Sequence, residues 1–303
     1  MLKGREKLFM RGVLVMNSPS EEYKEDITIR IIKALEKGTA PWQKPWADSS
    51  PRNAVTGNLY HGFNAIILSV IGNELSENSD ARWATLNQAA SKGWTIKDGA
   101  KPTKIFVVIQ PESKSEVNSR KRTFRKTFEL YHASQINGIK SLPGRKHEAI
   151  MSNEMIERII FNSSARILEG GNEAYYSPRG DVIRMPFRKS FDDTESYYST
   201  LLHELVHWTG HSSRLERFFS WTTSREDYAR KELVAEIASL MLTVEAGISL
   251  TEKHFESHSA YVKSWISLLK SDHDAIFKAE KDAKKAVNFI LSFLDDKQEN
   301  IAV

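Results

Sequence analysis

The sequence contains no cysteine among its 303 residues. This absence excludes a disulfide framework and a thiolate metal site, so any bound metal ion must use nitrogen and oxygen ligands. The sequence also lacks a run of about 18 consecutive apolar residues, the length that a membrane span requires, because charged residues interrupt every hydrophobic segment. No small-residue cleavage site follows the apolar stretch at residues 8–16. The sequence therefore predicts a soluble, cytoplasmic protein with no membrane partner.

The size and composition are those of a two-domain globular protein. Hydrophobic residues make up 40% and charged residues 27% of the chain, which excludes a largely disordered or fibrous protein. A chain of 303 residues exceeds what one ordinary hydrophobic core supports. The Pro- and Gly-containing segment SLPGRK at residues 141–146 marks the expected boundary. We predict a flexible N-terminal extension (1–20), a first domain (21–145) and a second domain (146–303), with Met16 as an alternative translation start.

The charge is distributed unequally between the two halves. Residues 1–147 hold 24 Lys and Arg against 14 Asp and Glu, whereas residues 148–303 hold 19 against 25. Their net charges are therefore +10 and −6. A basic half is typical of a protein region that contacts a polyanion, because Lys and Arg displace the counterions of phosphate groups. Solvated surface charge explains the asymmetry equally well at this level.

The first domain is predicted to be mixed α and β. Apolar periodicity indicates a helix over residues 21–37 and a helix or buried segment over 64–71, and a second helix covers 85–92. The segments 104–110 and 123–131 are rich in β-branched and aromatic residues and flank a polar stretch. They are predicted to form a β-hairpin.

The second domain is predicted to combine a small antiparallel sheet with several helices. Helices are indicated over residues 153–161, 193–209, 224–245 and much of 256–294. Short strands at 165–168, 174–176 and 182–185 are expected to form a meander. Asp192 and Glu195 fit a capping box at the start of the helix at 193–209, which Gly210 ends.

That helix carries the sequence His-Glu-Leu-Val-His at residues 203–207. Residues four apart lie on one face of a helix, so His203 and His207 can direct both imidazoles at one cation. Glu204 lies beside them, where its carboxylate can take a proton from a water molecule that the metal activates. The motif predicts a metal site with Glu204 as the catalytic base.

A zinc site of this kind needs a third protein ligand. The extended motif HExxHxxGxxH fits at Gly210, but its third histidine would fall on Ser213, and His211 is two residues early. We therefore predict that His211 is not a metal ligand. It is expected to lie beside the ligands or on the protein surface.

The segment KELVAEIA offers a different third ligand. Glu232 and Glu236 are four residues apart, and the apolar residues around them indicate a buried helix, in which a carboxylate needs a partner. Glu232 is predicted to bind the metal and Glu236 to orient a ligand histidine. Tyr228, one turn before Glu232, is a candidate for stabilising an oxyanion, with a core tyrosine as the alternative. The expected cofactor is Zn²⁺ or another divalent cation such as Mn²⁺.

The basic half contains aromatic residues next to positive charge. Trp42 and Trp46 flank Lys44 in the sequence PWQKPW, an arrangement that suits bases stacking on rings beside phosphates held by cations. Buried packing explains these tryptophans equally well, and it is the preferred explanation for Trp83 and Trp94. Three further cations accompany the second hairpin strand and complete the basic candidates: Arg122, Arg125 and Lys126.

A second motif lies between PWQKPW and the predicted hairpin. Asn53, Thr56, Tyr60, Gly62 and Asn64 follow the arrangement N-x-x-T-x-x-x-Y-x-G-x-N, with Arg52 immediately before it. Together with PWQKPW, HELVH and KELVAEIA, this motif makes residues 21–294 resemble the ArdC-type antirestriction proteins of conjugative plasmids and related mobile elements. Members of that family often have glycine at the position of Val206, whose larger side chain raises the question of crowding at the metal site.

The resemblance implies an α+β protein with an N-terminal single-stranded-DNA-binding domain and a C-terminal zincin-like metallopeptidase domain. It also implies protection of incoming DNA from host restriction, with the motif residues Arg52, Asn53, Thr56, Tyr60 and Asn64 as candidate DNA contacts. Single-stranded DNA is the expected partner, with double-stranded DNA as an alternative. Two mechanisms stay open. DNA occupancy gives the protection, or the metal site cleaves a protein of the host restriction machinery.

Overall fold

The computed structural model describes residues 19–37, 50–76, 80–109, 124–140, 153–217, 224–246 and 259–294. Its α-helices in these ranges are α1 (Glu21–Glu36), α2 (Gly62–Leu75), α3 (Leu86–Ser91), α4 (Asn153–Ser163), α5 (Thr194–Thr209), α6 (Arg225–Ala246), α7 (Ser259–Ser271) and α8 (Ala275–Leu291). Its strands are β1 (Arg52–Asn53), β2 (Arg82–Ala84), β3 (Thr95–Ile96), β4 (Thr103–Ile109), β5 (Phe124–His132), β6 (Ile136–Asn137), β7 (Ile167–Glu169), β8 (Tyr175–Ser177) and β9 (Val182–Met185). None of the helices in these ranges has the length and apolar character needed to cross a membrane. The α+β fold class is confirmed.

The first half is built on a four-stranded sheet with the order β1-β2-β5-β4. The predicted hairpin is present as the antiparallel pair β4 and β5, in which Ile105 lies opposite Phe128. One face of the sheet packs against α2 through the buried cluster of Leu68, Trp83, Ile105 and Leu130. The core position predicted for Trp83 is therefore confirmed, whereas Trp94 is only half-buried.

The outer edge of this sheet is covered by two helices. Strand β4 has no strand on its other side among the described residues, and an open edge leaves backbone groups unpaired. The hydroxyl of Tyr23 on α1 donates to the carbonyl of Lys104 at 2.8 Å. The Asn64 side chain on α2 donates to the Phe106 carbonyl at 2.8 Å and accepts from the Phe106 N–H at 3.4 Å. Both side chains thus substitute for a neighbouring strand.

The second half contains a three-stranded sheet with the order β7-β9-β8. Strands β8 and β9 form an antiparallel hairpin, but β7 pairs with β9 in parallel. The expected antiparallel meander is therefore corrected to a mixed sheet. Gly170 and Gly171, which follow β7, both have positive φ angles, and the chain continues from them to the far side of β9. Strands β7 and β8 therefore form the two edges of the sheet, on either side of β9.

The helix ends follow the sequence closely, with one correction. Helix α5 begins after Asp193 rather than Asp192, because the Asp193 carboxylate accepts the Ser196 N–H at 2.6 Å. Gly210 is its C-cap, as predicted. The predicted helical tail is divided into α7 and α8 by a turn in which the Asp272 side chain accepts the Asp274 N–H at 3.0 Å.

Helix α1 packs against the second half of the chain. The Thr28 hydroxyl donates to the His273 carbonyl at 2.8 Å, and Lys270 forms an ion pair with Glu36 at 2.7 Å. One hydrophobic cluster includes Ile31 of α1, residues of α2 and most of the C-terminal helices. The predicted boundary at 141–146 and the extension at 1–20 lie mostly or wholly outside the described residues, so the domain limits stay a prediction. The shared cluster makes α1 and α2 part of the core that supports the second half.

Replacing Asn64 by leucine tests how the sheet edge is closed. Leucine keeps the approximate size of the side chain but leaves the Phe106 N–H and carbonyl without their partners. Each unsatisfied group costs about 1–3 kcal/mol, so the loss of both partners should lower the free energy of unfolding by at least about 2 kcal/mol in urea denaturation. Asn288→Leu, at an exposed position on α8, is the control and should change stability by less than about 0.5 kcal/mol. Equal effects of the two substitutions would contradict this role of Asn64.

Candidate metal centre

Helices α5 and α6 bring the three predicted ligands together. The Nε2 atoms of His203 and His207 are 3.2 Å apart. His203 Nε2 lies 3.5 Å from one oxygen of Glu232, and His207 Nε2 lies 3.5 Å from the other. In the described part of the chain, His203, His207 and Glu232 form a group whose ligand atoms lie close enough together to hold one metal ion.

These separations fit a bound divalent cation. A tetrahedral zinc site has ligand bonds of about 2.0–2.1 Å, which places neighbouring ligand atoms about 3.3–3.4 Å apart. The nitrogen and oxygen donors also match the ligand types that Zn²⁺ and Mn²⁺ accept. Because Glu232 directs one oxygen to each histidine, its carboxylate faces the same point as both imidazoles.

The site is buried, and its charges are coupled. His203 is 4% exposed and Glu232 is 6% exposed. Burial alone would lower the pKa of His203, but the hydrogen bond with Glu232 and the charges of the surrounding carboxylates raise it to about 9. Although burial opposes its ionisation, the two histidines hold the pKa of Glu232 far below its ordinary value. Without a cation, a proton on His203 therefore compensates the buried carboxylate.

Two further glutamates lie around the histidines. Glu236 is 2% exposed, and its carboxylate oxygen lies 3.6 Å from His203 Nδ1, the nitrogen that points away from Glu232. This is the position from which a carboxylate orients a ligand histidine. Glu204 is 8% exposed and follows His203 on α5. The roles of both residues stay predictions, and the geometry is compatible with each.

Tyr228 lies at the rim of the site. It is 44% exposed, so the core-tyrosine alternative is not what the structure contains. Its hydroxyl lies 3.1 Å from the hydroxyl of Tyr261 on α7. Burial, the hydrogen bond to Tyr261 and the nearby Glu232 carboxylate together raise the pKa of the Tyr228 phenol. Tyr261 was not predicted, because its contact depends on how α7 packs against α6 and has no signature in the local sequence.

His211 is not part of the converging group. Its Nδ1 accepts the Ser213 N–H at 3.2 Å and lies 2.8 Å from the Ser213 hydroxyl, which closes the turn after α5. Among the described residues the extended HExxHxxGxxH motif is therefore not realised, in agreement with the choice of Glu232. Val206 is fully buried in the hydrophobic cluster, and the ligand atoms converge in its presence.

Two arginines that the sequence did not single out hold the end of α5. Arg217 donates to the Val206 carbonyl at 2.7 Å and to the Thr209 hydroxyl at 2.6 Å. Arg214 donates to the Trp208 carbonyl at 2.7 Å, packs over the Trp208 ring and forms an ion pair with Asp181 in the β8–β9 turn. Cations at a helix C-terminus stabilise its free carbonyl groups. The two residues thus fix the helix end that carries His207.

The candidate DNA-binding residues are only partly described. Trp42, Lys44, Trp46 and Arg122 lie outside the described residues, and the side chain of Arg125 on β5 is likewise not described. The ammonium group of Lys126 lies 5.2 Å from the centre of the Phe128 ring on the same strand. This pair places a cation and a half-buried aromatic ring side by side on the first sheet.

The Asn-Thr-Tyr-Gly-Asn motif builds a turn. Asn53 accepts the N–H groups of Val55 and Thr56 at 2.9 and 3.0 Å, and its amide nitrogen lies 3.3 Å from the Tyr60 hydroxyl. Gly62, with a φ angle of +61°, begins α2 in a conformation that favours glycine. The Thr56 hydroxyl accepts the Asn58 N–H at 3.3 Å.

Much of this motif therefore supports the fold, as Asn64 does at the sheet edge. Arg52, which precedes it, donates to the Ser50 carbonyl at 3.3 Å. A role of Arg52, Asn53, Thr56, Tyr60 or Asn64 in contacting DNA remains a prediction.

A buried His-His-Glu cluster on two packed helices beside a small sheet defines a zincin-like metal-binding protein. Residues 154–282 match the family described as zincin-like metallopeptidase, a domain type that implies a divalent cation. Residues 21–135 match the N-terminal domain of anti-restriction factor ArdC.

Solved structures support the same assignment. The Mn(II)-bound crystal structure of the antirestriction protein ArdC from plasmid R388 is 33% identical, with a TM-score of 0.68, over 91% of this chain and 99% of that one. Its metal-free structure gives a TM-score of 0.67 at the same identity, over 89% of this chain and 97% of that one. The chain belongs to the ArdC family of antirestriction proteins.

Other relatives differ in length. Two proteins of Escherichia coli named DNA primase TraC are 36% identical over 91% and 92% of this chain, but these matches cover only 20% and 28% of those proteins. An uncharacterized protein of Sinorhizobium fredii, y4eC, is 28% identical over 93% of this chain and 95% of its own length. The chain thus spans less than a third of the TraC proteins, and the name primase describes those longer proteins.

Metal binding should stabilise the folded chain. At a free Zn²⁺ concentration about 100 times the dissociation constant, the free energy of unfolding should rise by about 2.7 kcal/mol. Glu232→Gln should lose most of this increase, because it removes the charged ligand, whereas Glu226→Gln at an exposed position of the same helix should retain it. Urea denaturation with and without the metal measures the difference. A metal-dependent increase that survives in Glu232→Gln would refute the assigned ligand.

The pKa of His203 sets the pH dependence of the same measurement. Because this pKa is raised from the ordinary 6.5 to about 9, the proton stabilises the metal-free protein at low pH, and that stabilisation is lost as the pH rises through about 9. A cation must displace this proton, so its affinity should increase with pH up to about 9 and then level off. Chelator competition measures the affinity, and an affinity independent of pH would contradict this coupling.

Proposed function

We propose that this chain is a cytoplasmic antirestriction protein of a mobile element that binds single-stranded DNA and holds a divalent cation at His203, His207 and Glu232. The convergence of these three side chains in a buried position carries the metal part of the proposal. Zn²⁺ is the first expectation and Mn²⁺ the second. Occupancy of incoming DNA is the proposed means of protection, and the metal centre then serves mainly to stabilise the fold.

The DNA part of the proposal is supported by the positive charge of the first half of the chain. Residues 1–147 have an excess of ten positive charges. Lys126, whose ammonium group lies 5.2 Å from the centre of the Phe128 ring, supplies a cation on the first sheet that can bind a phosphate. Double-stranded DNA is the alternative ligand, and competition between single-stranded and double-stranded oligonucleotides distinguishes the two.

Binding driven by basic side chains should depend steeply on salt. For single strands the slope of log K against log salt concentration is about −0.7 for each phosphate that is neutralised. Lys126→Gln should therefore weaken binding and reduce the slope by about 0.7. Lys263→Gln, at an exposed position of α7 in the acidic half, is the matched control and should leave the slope unchanged. Fluorescence anisotropy of a labelled oligothymidine measures both, and an affinity unaffected by salt would contradict the proposal.

An active metalloendopeptidase that cleaves a protein of the host restriction machinery is the second candidate. A bound divalent cation supplies Lewis-acid activation of water and of a carbonyl group. The carboxylate of Glu204, buried beside the two histidines, can accept a proton, and the Tyr228 hydroxyl can donate a hydrogen bond to a developing oxyanion. Strand β8, at the edge of its sheet, offers backbone groups to an extended peptide.

Glu204→Gln separates the two candidates, because glutamine has nearly the same shape but cannot accept the proton. If DNA occupancy protects, the variant should bind the metal and DNA as the wild type does and retain protection of incoming DNA. Conjugative transfer into restricting and non-restricting recipients measures that protection. Loss of protection with metal and DNA affinities intact would replace the occupancy mechanism with proteolysis.

A further inference from the structure

The three-stranded sheet of the second half has one covered and one outer face. Tyr176, Ile183 and Met185 lie in the hydrophobic cluster, so their face of the sheet is covered. Glu169, at the end of β7, accepts the Tyr197 hydroxyl of α5 at 3.2 Å and therefore belongs to the same face. Side chains alternate between the two faces of a strand. The neighbouring residues of these strands therefore point to the opposite, outer face, away from α5.

A row of side chains across the outer face combines an arginine with a tyrosine. Leu168 of β7 lies opposite Arg184 of β9, and Arg184 lies opposite Tyr175 of β8. Residues directly opposite each other in an antiparallel pair have Cβ atoms about 4.5–5.5 Å apart, so Arg184 and Tyr175 are neighbours. Arg184 is exposed, and Tyr175 is 48% exposed. An accessible cation thus lies beside an accessible aromatic ring.

The charged residues on this outer face are all cations. The carbonyl of Arg166 accepts the Ile183 N–H at 2.9 Å, so this residue extends β7, and its exposed side chain points to the same face as Leu168. Ser177 and Val182 are the other strand residues on this face, and neither carries a carboxylate. Neither Arg166 nor Arg184 forms an ion pair with another described residue. Both guanidinium groups are therefore available to an anion, although residues 148–303 have a net charge of −6.

Single-stranded nucleic acid matches the chemistry of this face. Guanidinium groups bind phosphate oxygens, often through two parallel hydrogen bonds. An exposed aromatic ring stacks on a base, and a base is accessible for stacking only where the strand is unpaired. An acidic peptide would pair with the two arginines but would leave the Tyr175 ring without a stacking partner. The combination of ring and cations therefore favours a single strand.

We propose that Arg166, Arg184 and Tyr175 form a second contact surface for single-stranded DNA on the outer face of this sheet. The inference rests on the proposed DNA binding of the chain and extends it to the half that carries the candidate metal centre. The two arginines neutralise phosphates, and the Tyr175 ring stacks on a base beside them. Because the face points away from α5, substitutions on it should leave the metal ligands undisturbed.

Fluorescence anisotropy of a labelled oligothymidine, repeated over a range of salt concentrations, tests this surface in the full-length chain. Arg184→Gln should weaken binding and reduce the slope of log K against log salt concentration by about 0.7, because it removes one phosphate contact. Tyr175→Ala should weaken binding by about 10-fold and leave the slope unchanged, because it removes a stacking ring but no charge. Tyr175→Phe retains the ring and should bind as the wild type does. Lys263→Gln makes the same charge change at an exposed position of α7 and should have no effect.

Near-ultraviolet circular dichroism checks that each variant is folded. Unchanged affinities in Arg184→Gln and Tyr175→Ala, with a loss in Lys126→Gln, would overturn this surface and leave DNA binding by the first half intact. A loss in Arg184→Gln without one in Tyr175→Ala would also overturn it, since charge alone would then act. A labelled oligoglutamate that binds the wild type but not Arg184→Gln would assign the face to acidic peptides instead. Absence of oligothymidine binding by the wild type would overturn the proposed function, and the inference with it.

Discussion

The fold of the second half depends on burying a carboxylate against two imidazoles. Glu232 is nearly inaccessible to solvent, and a buried carboxylate without a partner is strongly destabilising. His203 provides that partner when it is protonated, and a cation shared with His207 would take the place of that proton. Helices α5 and α6 must therefore pack at the distance that this contact sets. Arg214 and Arg217 hold the end of α5, and Tyr261 of α7 contacts Tyr228 on α6.

The first half of the chain packs against the core of the second half. Helix α1 covers the edge of the first sheet through Tyr23 and packs on α7 and its following turn through Thr28. Helix α7 in turn carries Tyr261 beside the metal centre. The Asn-Thr-Tyr-Gly-Asn motif closes a turn and a sheet edge, so its presence reports the fold of the first half. Surface cations such as Lys126 are better placed to report DNA contact.

The sequence was most informative where the chemistry is local. Spacing on a helix was enough to predict that His203 and His207 face one point, and two glutamates in a buried helix were enough to predict that Glu232 lies beside them. Tyr261 and Arg214 were not predicted, because their contacts join segments that are distant in the chain. No local sequence pattern encodes such contacts. The parallel pairing of β7 with β9 was not predicted for a related reason. The partner of a short strand depends on the path of the chain between the strands.

We propose that Glu232 completes the metal site that His203 and His207 begin. A crystal structure of the Zn²⁺-bound chain, with anomalous scattering at the zinc edge to locate the ion, tests it most directly. We expect one ion bonded at about 2.0–2.2 Å to the Nε2 atoms of both histidines and to an oxygen of Glu232. An ion bound elsewhere, or at these histidines without Glu232, would contradict it.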